Sequence, residues 1–290
     1  MSQTGSRITW DSNNGTVKLS HDGKEERVFI ISRDFIEQFK EEMIKTAGKS
    51  TFKLIMRKLP EKLGKPLAEG SEADWKFFET YNDEQILPAT VEGELPKEFG
   101  PWDGKTRDLV LLPGINMVIW TVKSFQLFKE VIADIMTEKG ANALLNGVGK
   151  KAGMAIGESF AKYFGWSDFQ NAVDTIDDIS GKMSAAAGWG KGSAAVKKGG
   201  DGKEMILFKA VGSFESQDIS GSRPVCLITA SLLNGMWSTF ADILGGLAAE
   251  TREVKCAAKG DDHCAFAIKI KDKDAPHLDW KELESEWQAI

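Results

Sequence analysis

Cys226, Cys256 and Cys264 are the chain's three cysteines, and their types and spacing are the best suited to chemistry. The run between Cys256 and Cys264 holds seven residues and contains Gly260-Asp261-Asp262, a turn signal. With Glu253-Val254-Lys255 before it and Phe266, Ile268 and Ile270 alternating after it, the segment 250–271 predicts a β-hairpin that returns Cys264 beside Cys256. Cys226 would join them from the start of the preceding helix. Three thiolates and one further ligand make a closed tetrahedral zinc site with metal–sulfur distances of about 2.3 Å. Glu253, His263, Glu215 or a water could fill the fourth position. The spacing is not a paired Cys-x2-Cys knuckle, and three buried free cysteines would leave the same pattern.

Other chemistries are poorly served. Gly48-Lys49-Ser50-Thr51 lacks the earlier glycine of a phosphate loop, which Met43 replaces, and Gly188-Trp189-Gly190-Lys191-Gly192-Ser193 has glycine where Ser or Thr should follow the lysine. Of three histidines, His21 and His277 sit in polar terminal segments, and His263 lies between Asp262 and Cys264, as a turn residue or a spare metal ligand before it is a base. No Gly-x-Ser-x-Gly elbow occurs. A non-catalytic role is therefore expected ahead of an enzymatic one, although 43 acidic residues leave carboxylate chemistry open.

The elements that must position the cysteines belong to a chain of 290 residues, 42% apolar and 28% charged, enough to bury a substantial core. With 37 Lys+Arg against 43 Asp+Glu, and no local basic element, nucleic acid is not an expected partner. An odd cysteine count cannot close a disulfide framework, and the start Met1-Ser2-Gln3-Thr4-Gly5-Ser6-Arg7 has no apolar signal core, so a reducing, cytoplasmic setting is expected. The uncharged run 224–241 reaches the 18 residues at which a membrane span must be considered. Ser231, Asn234, Gly235, Ser238 and Thr239 within it favour a buried core helix, so no membrane is expected.

Along the chain, 7–31 reads as short strands, followed by a helix with Phe35, Phe39 and Met43 on one face and a second, basic helix ending near Gly70. Residues 71–107 read as an irregular connection. The pattern starts again at Asp108, and Phe39-Lys40-Glu41 matches Phe128-Lys129-Glu130 in a weak internal repeat. The expected division is an N-terminal region 1–107, a ligand-binding domain 108–271 and a C-terminal amphipathic helix within 272–290. That helix would start at Asp279, with Trp280, Leu283, Trp287 and Ile290 covering either this chain's core or a partner. Gly149, Gly153 and Gly157 share a helix face and imply close approach of another backbone or of a ligand. Residues 183–203 hold 13 Gly, Ala or Ser out of 21 and read as a mobile loop or lid.

The run Pro224-Val225-Cys226, Leu232-Leu233-Asn234-Gly235, Glu253-Val254-Lys255-Cys256, Gly260-Asp261-Asp262-His263-Cys264-Ala265-Phe266 resembles the 4-vinyl-reductase-like, or hydrocarbon-binding, domain. Upstream, Leu111-Leu112-Pro113, Gly149, Gly153, Gly188-Trp189-Gly190 and Ser213-Phe214-Glu215 resemble the sensor region of bacterial activators that respond to phenols and xylenes. The resemblance spans about residues 108–271, with 20–70 as a partial copy. It implies an α+β fold with an antiparallel sheet and packed helices, a homodimer, and a structural zinc beside a buried apolar pocket. It also implies zinc ligands Cys226, Glu253, Cys256 and Cys264, and a function in binding or sensing a small apolar or aromatic molecule. An enzyme, accessory or carrier role in tetrapyrrole or other cofactor metabolism is the alternative. The sensors hold a phenol hydroxyl with a histidine and a tryptophan, whose places fall here near Ser184 and Val211, so phenol itself is not the expected ligand. Aromatics that serve first as core, Trp120, Phe128, Trp166 and Trp237, are with Val211 the candidate pocket lining.

Overall fold

A computed structural model describes residues 6–11, 13–21, 23–62, 86–87, 89–92, 95–97, 99–102, 104–111, 115–288 and 290. The expected end of the second helix near Gly70 lies outside them. The chain divides into two compact units, one reaching to Leu144 and taking in Ala186–Trp189, the other comprising Leu145–Ala185 and Gly190–Ile290.

The first unit is built on strands β1 (Ser6–Asp11), β2 (Thr16–His21), β3 (Lys24–Ser32), β4 (Ala89–Glu92), β5 (Asp108–Leu111) and β6 (Ile115–Thr121). Their order is β4-β1-β2-β3-β6-β5, antiparallel throughout except for the parallel β1–β4 pair. β4 falls inside the segment expected to be irregular; four residues too short to show a period become a strand by pairing with β1. Helix α1 (Arg33–Ala47) starts where the Ser32 side chain accepts a hydrogen bond from the Phe35 N–H, and α2 (Lys49–Lys62) follows. Phe35, Phe39 and Met43 are buried as their spacing predicts. Ala186–Trp189 lies along β3: the Ile30 N–H donates to Ala187 O (2.8 Å) and Trp189 Nε1 to Ile30 O (2.6 Å). Gly188 is at φ 73°, and a Cβ there would stand 2.7 Å from Val28 O, so the position tolerates only glycine.

Helix α3 (Val122–Phe164) has one non-helical residue, Thr137 at φ 71°, and the boundary between units falls within it, after Leu144. In the second unit α3 is followed by α4 (Phe169–Ile179), a π-helical turn (Ser180–Ser184), β7 (Lys191–Lys198), β8 (Glu204–Val211), α5 (Leu227–Gly245), β9 (Leu247–Lys255), β10 (Cys264–Asp272) and α6 (Glu284–Gln288). The four strands form one antiparallel sheet in the order β7-β8-β10-β9. The fold is thus mixed α+β, with largely antiparallel sheets and packed helices.

Two expectations are corrected here. The small-residue segment 183–203 is not a loop throughout, because 191–198 pair along their length with β8. The small side chains permit close packing: a Cβ on Gly192 would meet Ser180 Cβ at 2.6 Å and the Phe208 ring at 2.9 Å, and the Ala194 N–H donates to Asp177 of α4 (2.7 Å). The last helix starts at Glu284, not Asp279. Its stripe covers this chain's own sheet, with Trp280 buried and Leu283, Trp287 and Ile290 packed on Met205, Leu207, Ala265 and Ala267.

The glycine face of α3 packs against α5. A Cβ on Gly153 would lie 2.0 Å from Leu232 O, and one on Gly235 would lie 2.0 Å from Lys150 O, so the two backbones are in mutual contact. Helix propensity alone predicts that Gly153→Ala gains about 1 kcal/mol. The crossing predicts the opposite sign, a loss of about 1–3 kcal/mol from overpacking, read as a lower urea midpoint. A gain in stability would show that the helices do not cross this closely.

Candidate metal centre

Four ligand groups converge at the N-terminus of α5. The Sγ atoms of Cys226, Cys256 and Cys264 and a carboxylate oxygen of Glu253 all lie within 4.8 Å of one another. Cys226 is the N-cap of α5, Cys256 follows β9, Cys264 opens β10, and all three are fully buried. Glu253 and Cys256 are three apart, a spacing that a regular strand places on opposite faces. A register shift opposite Ala265 and Phe266, which pair with Lys255 and Glu253, inserts Val254 as an extra residue and brings both ligands to one side. The turn after Cys256 uses Gly260 at φ 96°, and the Asp261 carboxylate accepts a hydrogen bond from the Cys256 N–H (2.8 Å).

The other candidates for the fourth position have different partners. Glu215, buried in the 3-10 turn Phe214–Ser216, accepts hydrogen bonds from the N–H groups of Ile228 (3.2 Å) and Thr229 (2.7 Å) and from the Thr229 hydroxyl (2.8 Å). It caps the helix that carries Cys226, a placement favoured by the helix dipole. His263 Nδ1 lies 2.7 Å from the Asp262 carboxylate. Residue types alone did not reveal a supporting shell. Ser213 Oγ lies 3.5 Å from Cys226 Sγ, Ser216 Oγ lies 3.5 Å from Cys264 Sγ, and the Ala257 N–H donates to Cys264 Sγ (3.4 Å). Glu215 is a candidate by residue type alone, whereas Ser213 enters only through the family resemblance.

The donor set fits a thiophilic cation. Tetrahedral zinc would hold two thiolates about 3.8 Å apart at its usual bond length. Cys226 Sγ and Cys264 Sγ are 3.5 Å apart. Glu253 Oε2 accepts from the Cys226 N–H (3.0 Å), whereas Glu253 Oε1 is buried without a hydrogen-bond partner among the described residues. Such an oxygen is costly to bury unless a cation or donor meets it. Without a cation the four groups cannot all ionise. Hydrogen bonding to Cys256 and then to Cys264, with burial, pushes the Cys226 thiol far up. The hydrogen bond from Cys226 pulls Cys256 down to about 4, and that from Cys226 also lowers Cys264. Burial, with the Cys256 sulfur alongside, raises Glu253 to about 9. A divalent cation would displace the protons on Cys226 and Glu253.

The aromatic candidates are divided between the two units. Trp120 on β6 and Phe128 on α3 are core residues of the first unit, where Phe128 packs on Phe39 at 5.4 Å between centroids. Trp166 and Trp237 meet in the second unit, 6.2 Å apart and within 9° of parallel, with Phe169 and Phe240 against them. Val211, at the end of β8, is exposed. The Trp166–Trp237 cluster and the three cysteines belong to one continuous core. Among the described residues no helix is long and apolar enough to cross a membrane; the uncharged run forms α5 in this core instead.

No protein-family model matches the chain, and no curated protein matches its sequence. Similar solved structures include an H-NOX protein from S. oneidensis in its Fe(II)NO state, at 11% identity and a TM-score of 0.41, covering 83% of this chain and 100% of that one. A vinyl-4-reductase family protein from Methanocaldococcus jannaschii is 18% identical, with a TM-score of 0.32, covering 52% of this chain and 81% of its own. The phenol-responsive sensory domain of the transcription activator PoxR, solved with phenol, is 17% identical over 67% of this chain and 92% of that one, with a TM-score of 0.49. Solved structures similar to this chain thus include both a phenol-sensing domain and a vinyl-4-reductase family protein, at low sequence identity.

Proposed function

We propose that the second unit is a non-catalytic binding or sensing module for a small apolar or aromatic molecule, with zinc held by Cys226, Glu253, Cys256 and Cys264, and that the working unit is a homodimer. The observation that carries this reading is the convergence of three buried sulfurs and a carboxylate within 4.8 Å, in the same core as the Trp166–Trp237 cluster. A closed four-ligand site leaves no open position for a substrate, so the metal's role is to tie the β9–β10 hairpin to the start of α5. That hairpin and helix wall the aromatic cluster, and the ligand lodges against Trp166 and Trp237. The motif resemblance supports the same assignment.

Elemental analysis and native mass spectrometry of the protein as isolated test it. One zinc per chain, a dimeric mass and saturable quenching of tryptophan fluorescence by small aromatics are expected. A metal-free protein, or one that no aromatic compound quenches, would refute the reading, and a coloured bound pigment would favour the tetrapyrrole alternative. Zinc affinity should also depend on pH. Because Cys226 and Glu253 hold protons that the metal must displace, affinity is expected to rise with pH, about tenfold per unit for each proton released, and to rise less steeply above about 9, where Glu253 is ionised without help and Cys226 alone still releases a proton. A competition titration with a chromophoric chelator between pH 6 and pH 9, taken as a range of about three units, reads the slope directly.

A further inference from the structure

Trp166 and Trp237 are both buried, at 6% and 0% exposure, and their indole Nε1 atoms have no hydrogen-bond partner among the described residues. An unpaired buried donor costs about 1–3 kcal/mol, which a phenylalanine of similar shape would avoid. Two such donors occur on rings stacked within 9° of parallel, at a centroid distance of 6.2 Å. The surrounding surface is aromatic: Phe240 lies edge-on to Trp166 at 5.0 Å, and Phe169 stacks on Trp237 at 6.5 Å. Phe240 could receive an N–H only through its ring face, a weak, second-order contact.

The cluster also reaches the surface. Phe164 stacks on Trp166 at 6.5 Å and meets Tyr163 edge-on at 4.8 Å, and these two rings are 37% and 64% exposed. A continuous series of ring contacts therefore runs from the exposed Tyr163 and Phe164 to the two buried donors.

We propose that the Trp166 and Trp237 indole N–H groups are the polar recognition element of the small-molecule site, and that its ligands are aromatic compounds bearing a hydrogen-bond acceptor such as a carbonyl oxygen. Bare hydrocarbons are then disfavoured. A few placed polar groups in an apolar cavity are what fixes a ligand's orientation. Here both groups are donors without acceptor capacity, so they select for an acceptor and give nothing to a ligand that only donates. The inference rests on the small-molecule reading above and narrows it.

Ethylbenzene and acetophenone form a matched pair of probes that differ in a carbonyl oxygen. Transfer from water alone favours the more apolar ethylbenzene. Isothermal titration of the full chain is expected to show the reverse, with acetophenone bound at least about tenfold more tightly, equivalent to about 1.4 kcal/mol. Trp166→Phe and Trp237→Phe should each erase most of that preference, read as the ratio of acetophenone to ethylbenzene affinity within the same variant. Indole N–H resonances of the unsubstituted protein give a readout that no folding defect disturbs: acetophenone should shift the Trp166 and Trp237 signals downfield, and ethylbenzene should not. Equal or tighter ethylbenzene binding, with both indole signals unmoved by acetophenone, would overturn the inference and leave small-molecule binding intact. Failure of both probes to bind would overturn the small-molecule reading and this inference with it.

Discussion

With zinc on the four-residue cluster as proposed, removing it with a strong chelator is expected to lower the melting temperature of the second unit by about 20 °C or more. Structural zinc contributes on the order of 10 kcal/mol to the folded state of small domains, and a unit of this size loses about 2–4 °C per kcal/mol. The loss should be local. Hydrogen exchange should accelerate in β9, β10 and the first turns of α5, because the four ligands link those elements and the metal-free cluster leaves Glu253 Oε1 buried and unpaired. Cys264→Ala should reproduce most of the effect. If the three cysteines were merely buried free thiols, the same substitution would cost only about 1–2 kcal/mol of lost burial, and chelator would change nothing. Calorimetry with and without chelator, on both proteins, separates the two accounts.

The second large effect concerns Lys269. Its position in β10 alternates with Phe266, Ile268 and Ile270, so the pattern alone points its ammonium to solvent. The C-terminal segment covers that face, and the side chain is 2% exposed. Lys269 Nζ donates to Asp201 Oδ1 (2.6 Å) and to Lys203 O (3.2 Å), and Glu286 Oε2 lies 3.5 Å away. Removing both acids with Asp201→Asn and Glu286→Gln leaves a buried ammonium with no counter-charge and should cost about 3–5 kcal/mol in a urea titration. Lys269→Met keeps the stem and removes the charge, and should cost far less. A larger loss for Lys269→Met than for the double variant would show that the ammonium stabilises the fold without its two acids, through contacts such as that to Lys203 O.

The pH dependence of that site follows in sign. Burial acts to raise Asp201, but the Lys269 hydrogen bond and the Lys203 N–H outweigh it and hold the carboxyl below its ordinary value. A lowered acid stabilises the fold fully above the unfolded carboxylate range, and that contribution is lost as pH falls through the lowered value. The loss should therefore appear below about pH 4 and vanish in Asp201→Asn. Asp201 is half exposed, so the effect is modest.

Much of the site was legible in the order of residues. The Gly260-Asp261 turn between two β-prone runs brings Cys256 and Cys264 together through local geometry alone, and the uncharged run 224–241, which carries Cys226 near its start, makes a core helix wherever it packs. The stripe Trp280, Leu283, Trp287 and Ile290 required a cover, which it finds on this chain's own sheet. These features depend on interactions within a few residues, or on a hydrophobic period that any buried surface satisfies.

The choice of Glu253 over Glu215 was of another kind. Both are acids close to the right elements, and a bulge at Val254 together with the capping of α5 sorts them into a neighbour of the three sulfurs and a cap. β7 was hidden because glycine, alanine and serine carry no strand signal of their own; its strand is defined by β8 on one side and by the close approach of α4 on its face. The burial of Lys269 and the stacking of Trp166 on Trp237 likewise join residues far apart in the chain. The sequence by itself determined which side chains could hold a metal and which faces had to be buried, since composition, turns and periodicity are local. Only the tertiary structure decided which acid joins the three cysteines and which indole donors share a core, because those choices are made by backbone pairing and packing over long separations.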